Sequence, residues 1–413
     1  MNLVFNKWDV DGNPIPNLSE LNKYDDDICH PFFFNDARFN VKSRRLEDIN
    51  QNEKFYFIIS NKQPYSFYIK NSEIFLPKEI EYYIKNFDLK IMFISEHESH
   101  KHLDIFLQLL IKQIKKNNWK EENFYIIDNN SMLNKLKDRF NTKINFFKIN
   151  YLIQFFSKNI NSPKIIDIEF DKKFIFLCHN RQPHYHRLLF LAHLKNLNML
   201  DNDITNWSLT MEHSDYIRYA RQGPNVMSIS HFKNYLDLNN TSLINDFSFI
   251  CNTKKLSFYE EDIDWEDTIN TYHSRNQIHT FKSELNFKNS YINIVTESHY
   301  HFRECDVHIT EKSFKPFYFF QLPIFVASWQ HVKMMREEYD FYFFDDLIDH
   351  SYDDEKDDAK RFHMIINEIK RLSNMREEIS LYYKLNADKL IHNHEFLKNN
   401  NYDEKFKEYI MNI

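Results

Sequence analysis

Three stretches of the chain place charged and hydroxyl side chains where an α/β protein binds ligands. In the second half, Thr310-Glu311-Lys312 opens a helix. Thr310 is of the N-cap type, and Lys312 adds a full positive charge to the positive end of the helix dipole. A helix start of this kind can hold an anion without a metal. Glu311 beside it is suited to accept both hydroxyls of a ribose. Just upstream, a strand ends at Thr296 and leads into Glu297 and Ser298. Further upstream, a buried strand ends at Cys178, Asn180 and Arg181 follow, and Arg187 lies in the first turns of the next helix. A guanidinium there is a permanently charged fork that suits a diphosphate. The competing reading pairs Arg187 with a carboxylate on a neighbouring loop and takes the Thr310 segment as an ordinary helix start.

The first half offers one comparable place. Phe93 to His102 reads FISEHESHKH, so Glu96, His97, Glu98 and His100 follow the end of a strand. A carboxylate or histidine so placed can take a proton from a hydroxyl. The other reading is a polar strand-to-helix turn ahead of Lys101–Lys116. No metal site is expected. His184 and His186 are two residues apart and diverge on a helix, and the cysteines form no CxxC pair. Asp262-Ile263-Asp264 has the DxD form, which so acidic a chain produces by chance.

The elements that must position these residues alternate. Strands are predicted at Lys54–Ser60, Lys90–Ser95, Asn123–Asp128, Ile144–Ile149, Lys173–Cys178, Tyr291–Thr296 and Pro323–Ser328. Helices are predicted at Lys101–Lys116, Met132–Phe140, His184–Asn196, Glu311–Phe320 and His331–Glu338, and almost throughout from Lys356. The Phe341–Phe344 run reads as a further strand, followed by Asp345 and Asp346. Such alternation predicts α/β units with mainly parallel sheets, whose ligands lie beyond the carboxyl ends of the strands. Ser157–Lys164, with Pro163, is the linker candidate. The expected organisation is two α/β domains, residues 1–160 and 161–385, followed by a helix over 386–413.

The chain's 413 residues suit two domains. Its net charge of −7 argues against a whole surface built for nucleic acid. Only Gly12 and Gly223 are glycines, which excludes a GxGxxG fingerprint and a P-loop. Phosphates would have to be held by side chains and helix starts. The N-terminal residues carry no basic stretch leading into an apolar one, and no apolar run is long enough to span a bilayer. With separated cysteines, these features predict a cytoplasmic protein without a membrane span.

Glu297-Ser298, then Ile309-Thr310-Glu311-Lys312, an apolar helix and Leu322-Pro323-Ile324-Phe325-Val326 resemble the donor-binding signature of the α-1,3-fucosyltransferase family. Asn180 to Leu194 is similar to that family's upstream segment, and the "NR-x-P-x-x-HR" and "TEK-x-x-KP" blocks are similar to those of fucosyltransferase-like proteins of phages and bacteria. The resemblance covers about 150 residues of the second half. It implies a GT-B fold with two Rossmann-like domains and a donor cleft between them, residues 1–160 forming the acceptor-side domain and 161–385 the nucleotide-sugar domain, with the helix over 386–413 packing back on the first. By that resemblance Lys312 and Arg187 bind the donor diphosphate, Glu311 binds the ribose, and Glu297 and Ser298 line the sugar pocket; Asn180, Arg181 and Thr310 belong to the same donor site. A fainter likeness to the family's G-E-N-E segment makes Glu96 or Glu98 the base. The implied activity is metal-independent, inverting transfer of a hexose, a GDP-sugar being the favoured donor, to a hydroxyl of a glycan. The sequence departs from the family after TEK, where Phe317 to Gln321 replace small residues. Two alternatives remain open: a phage-type enzyme that glycosylates modified DNA bases, with Lys112–Lys120 and Lys135–Arg139 lining a groove, and a catalytically silent binding protein of the same fold.

Overall fold

A computed structural model describes residues 2–5, 42–44, 55–61, 69–70, 73–74, 76, 78–87, 89–95, 103–128, 133–148, 168–180, 184–200, 204–210, 234–236, 239–252, 255–257, 284–301, 307, 309–399 and 408. The first half holds strands β1 (Asn2–Phe5), β2 (Lys42–Arg44), β3 (Phe55–Asn61), β4 (Ile69–Lys70), β5 (Glu73–Ile74), β6 (Lys90–Ser95), β7 (Phe124–Asp128) and β8 (Asn145–Lys148). Its helices are α1 (Lys78–Phe87), α2 (Leu103–Asn117) and α3 (Leu133–Phe140). Six of these strands form one parallel sheet in the order β2-β1-β3-β6-β7-β8, and β4 and β5 make a small antiparallel pair.

The second half begins with β9 (Phe174–Asn180), α4 (Tyr185–Asn196), β10 (Thr205–Thr210), α5 (Thr241–Asn252) and β11 (Lys255–Ser257). It continues with α6 (Glu284–Lys288), β12 (Ser290–Thr296), α7 (Glu311–Tyr318), β13 (Leu322–Val326) and α8 (His331–Glu338). Three helices close it: α9 (Asp358–Leu372), α10 (Arg376–Leu385) and α11 (Ala387–Asn399). The sheet order is β11-β10-β9-β12-β13, parallel except for β11. From β9 the chain steps one way to β10, and β12 and β13 then lie on the other side. The gap between β9 and β12 is therefore a topological switch point, where open α/β sheets bind ligands.

Strand periodicity sorts the core. Ile91 and Phe93, with Phe124 and Ile126, face α2 and pack among Phe106, Leu107 and Leu110. The alternate residues Met92, Tyr125 and Ile127 join the core that contains the second sheet. Near the same junction Lys148, at the end of β8, forms an ion pair with Glu338, at the end of α8. No helix among the described residues is long and apolar enough to cross a membrane.

With two glycines in the chain, the left-handed positions that end helices fall to other residues. Asn118, Asn141 and Asn198 take them after α2, α3 and α4, and Phe320 does so after α7. Asparagine tolerates this conformation through local hydrogen bonding, which a phenyl ring cannot supply. At Phe320 the surrounding bonds compensate: Gln321 N–H reaches back to Pro316 O at 2.8 Å, closing the helix.

Strand β13 is an edge of the sheet, and its outward peptide groups are capped by side chains. His350 Nε2 lies 3.1 Å from Pro323 O, Phe325 N donates to the Tyr352 hydroxyl at 3.0 Å, and Arg361 Nε donates to Ala327 O at 3.2 Å. Residues 323, 325 and 327 thus point outward, so Pro323 places its missing N–H where no ladder bond was needed.

One sequence expectation is corrected. Phe341–Phe344 is not a strand: the buried Asn393 donates to Tyr342 O (2.9 Å) and accepts from Tyr342 N (2.8 Å), so one side-chain amide takes the place of a neighbouring strand. Helix α11 lies along α7; of the segment 386–413 expected to pack back on the first domain, residues 400–407 and 409–413 lie outside the described residues. His394 Nδ1 meets Tyr318 O at 2.7 Å and Phe396 packs edge-on against Phe341. The linker candidate at 157–164 lies outside the described residues. The Tyr352 cap gives a direct test of the edge. Tyr352→Phe leaves Phe325 N–H buried without an acceptor and is expected to lower unfolding free energy by about 1–3 kcal/mol in urea titrations. An unchanged midpoint would show that the edge needs no cap.

Candidate functional site

The carboxyl ends of β9 and β12 meet the first turns of α4 and α7, and buried polar groups link the four. At the end of β9, Asn180 is buried and its Oδ1 accepts from Thr296 Oγ1 on β12. Where β12 stops pairing, its last carbonyls are taken up from α4. Arg187 Nη2 donates to Thr296 O at 2.8 Å, and His186 Nε2 lies 2.8 Å from Glu297 O. A ring nitrogen at that distance from a carbonyl is the protonated one of a neutral imidazole. Burial, and then the adjacent Arg187 charge, push the His186 pKa well below the ordinary histidine value. The ring also stacks on Tyr300 at 5.5 Å.

Glu297 is the centre of the arrangement. It is 0 % exposed, and its carboxylate binds the start of α7. Thr310 donates its backbone N–H at 3.2 Å and its hydroxyl at 2.8 Å, Ser313 donates its hydroxyl, and Ser298 N–H approaches at 3.1 Å. Burial alone would raise the pKa of this group. The Lys312 charge and the Ser313 hydroxyl outweigh it, and the value lies below that of an ordinary glutamate. The carboxylate is therefore ionised and fully engaged, which is the condition under which a buried charge is tolerated.

Behind Ser313 stands His331, the first residue of α8, with Nε2 2.9 Å from the Ser313 hydroxyl. Burial holds its pKa down to about 4. A neutral His331 donates from Nε2 to Ser313, which passes its own proton toward Glu297. The N-terminus of α8 is capped by Asp353, which accepts from Val332 N at 3.0 Å and Lys333 N at 2.9 Å. Sequence reasoning missed Ser313 and His331 as parts of this assembly. Their only signal is position: a polar residue on the inner face at the start of α7 and one at the start of α8.

Above this buried layer lie the accessible groups. Lys312 Nζ is within 3.1 Å of Thr310 Oγ1, 3.4 Å of Ser298 Oγ and 3.4 Å of a Glu311 carboxylate oxygen. The Lys312 and Glu311 side chains are 26 % and 15 % exposed. Thr310 acts as the N-cap, accepting from Lys312 N at 3.3 Å. A lysine ammonium thus stands at the positive end of a helix, over a switch point, with hydroxyls and a carboxylate around it.

Of the residues singled out in the sequence, the structure brings together Asn180, Arg187, Glu297, Ser298, Thr310, Glu311 and Lys312. They form two layers. Asn180, Arg187, Glu297 and Thr310 are buried, whereas Ser298, Glu311 and Lys312 are partly exposed. Glu297, expected to line a sugar pocket, instead gives both carboxylate oxygens to the chain itself. Arg187, expected at a diphosphate, is 2 % exposed and braces the end of β12. Arg181, Glu96 and Glu98 lie outside the described residues. Asp345 and Asp346 stand toward the opposite end of the sheet: Asp345 Oδ1 lies 3.0 Å from His350 Nδ1, and His350 reaches Pro323 near the start of β13. Among the described residues no three histidine, cysteine or acidic side chains gather as a metal would require. Compared with known proteins, the chain matches no family model and no curated protein.

The buried histidines make stability depend on pH. Burial lowers His331 and His179 from 6.5 to about 4 and pushes His186 well below 6.5. With folded values below the unfolded one, the unfolded chain takes up protons first as pH falls below about 6.5. Stability is therefore lost between about pH 6.5 and 4, at roughly 1.4 kcal/mol per pH unit for each such histidine. Urea titrations at pH 7 and pH 5 are expected to show this loss, with a smaller difference in His331→Gln. An equal difference in the variant would mean that His331 is not held neutral.

Proposed function

We propose that the chain is a metal-independent glycosyltransferase of the GT-B kind, transferring a sugar from a nucleotide-diphosphate donor to a hydroxyl of a glycan. The observation that carries this reading is Lys312 at the N-terminus of α7, beside the switch point between β9 and β12. Breaking the bond between the anomeric carbon and the diphosphate leaves negative charge on the departing phosphate. A preorganised cation and helix N–H groups stabilise that charge at little reorganisation cost. Lys312 supplies the cation, Glu311 the acceptor for the ribose hydroxyls, and Ser298 a hydroxyl on the rim. The resemblance to fucosyltransferases favours a GDP-sugar.

In this reading Glu297 and Arg187 work from beneath. Glu297 fixes Thr310 and Ser313, and so the direction in which α7 points its dipole. Arg187 and His186 hold the carbonyls from which the Glu297 loop departs. The acceptor hydroxyl must lose a proton as it attacks the anomeric carbon from the side opposite the leaving group. Glu96 and Glu98, which follow β6 in the chain, are the carboxylates assigned to that step.

Thermal denaturation with GDP-, UDP-, CMP- and dTDP-sugars in EDTA tests the donor site. One nucleotide class is expected to stabilise the protein, by about 2.7 kcal/mol when present at a hundred times its Kd. Lys312→Ala is expected to abolish the shift. No stabilisation by any of the four would overturn the reading in favour of a silent binding protein. A second measurement concerns the base. Either Glu96→Gln or Glu98→Gln is expected to lower kcat by about 10²–10⁴ while leaving donor binding intact. Full turnover in both variants would exclude these carboxylates.

A further inference from the structure

A second concave place lies away from Lys312. A cleft of about 300 Å³ opens between α8, the segment 341–346 and α11. Its size is at the lower end of the range for small-molecule sites. Burial alternates here: Phe341 and Phe343 are in the core and Tyr342 points out. Tyr342 is 46 % exposed, between neighbours that are at most 9 % exposed. Its backbone is fixed on both sides by the Asn393 amide, and His392 packs edge-on against its ring at 5.0 Å. Lys389 Nζ stands over the ring at 6.0 Å from its centroid, and the exposed part of a ring held this firmly presents a flat apolar surface at small entropic cost.

The segment turns at Phe344, whose φ of 62° places a bulky residue in the left-handed region. Such a conformation persists where the surroundings demand it. Here it brings Asp345 and Asp346 to the cleft beside Tyr342. Both carboxylates already have partners. Asp345 pairs with Arg336 and lies 3.0 Å from His350 Nδ1. Asp346 accepts from the Tyr382 hydroxyl, with Lys389 Nζ 4.0 Å away. The four ionic groups lining the cleft cancel in charge. A charged ligand would have to displace one of these pairs, whereas hydroxyl groups can join them, donating to the carboxylates and accepting from Arg336 and Lys389.

From this geometry we infer that the cleft binds a neutral saccharide, with the C–H face of a sugar ring stacked on Tyr342 and its hydroxyls bridging Asp345, Asp346, Arg336 and Lys389. The inference is independent of the transferase reading. The cleft lies toward the start of β13, through Asp345, His350 and Pro323, whereas Lys312 lies at the other end of the sheet. If both hold, the protein grips a glycan at a point distinct from the place of transfer.

Saturation-transfer NMR on the full chain, with the methyl glycosides of glucose, galactose, mannose, fucose and N-acetylglucosamine at millimolar concentration, tests the inference. Guanosine and glucuronic acid serve as the aromatic and charged comparisons. At least one neutral glycoside is expected to bind, at least tenfold more weakly in Tyr342→Ala and in Asp346→Asn, and with unchanged affinity in Lys312→Ala. Retention of binding in Tyr342→Phe would support stacking, since only the hydroxyl is lost. Absence of binding by every glycoside would overturn the inference. So would equal affinity in wild type and Tyr342→Ala, loss of binding in Lys312→Ala, or binding of guanosine or glucuronic acid alone.

Discussion

Glu297 holds a full negative charge at a place with 0 % exposure, and the carboxyl end of the second sheet is arranged around that charge. Such a group is strongly destabilising unless its oxygens are satisfied. Here Thr310, Ser313 and the Ser298 peptide satisfy them, and Lys312 supplies the opposing charge. The consequence is geometric. Because Glu297 follows β12 directly and its partners are the cap and first turn of α7, the helix cannot start elsewhere or point elsewhere. Arg187 and His186 extend the constraint to α4, and His331 extends it to α8. One buried carboxylate therefore registers three helices against the ends of two strands.

That constraint also explains the division of the site into layers. A group held so tightly is unsuited to meeting a substrate, and the buried members of the set support the exposed ones. Lys312, Glu311 and Ser298 are partly exposed above residues that are buried. A buried network of this type is stabilising only when all its members are present. The glycine shortage fits the same scheme: the chain has no glycine-rich loop, and a capped helix start carrying one lysine stands at the switch point.

Much of the framework was legible in the sequence because hydrophobic runs of the right length are bounded by polar residues. Strands β6, β7, β8, β9, β12 and β13, and helices α2, α3, α4, α7 and α8, fall within a few residues of where periodicity places them. Strand β10 was not legible. Thr205–Thr210 reads TNWSLT, and its buried Asn206 is satisfied by Asn286 and His179, partners that only the fold supplies. Phe341–Phe344 misled in the opposite direction: it has the composition of a strand, but a side chain replaces its neighbour. At the site, the sequence places a carboxylate after β12 and a lysine after the cap of α7. Which of the two turns inward is decided by the donors offered by Thr310 and Ser313, and that depends on how the helix docks.

The most direct measurement is ³¹P NMR of GDP titrated with the purified protein in EDTA. The account predicts a shift or broadening of the β-phosphate resonance with wild type, and its loss with Lys312→Met, because the ammonium at the start of α7 is the exposed charge that meets the phosphate. The same perturbation in the variant, or none in wild type, would contradict the assignment of this helix start as the anion site.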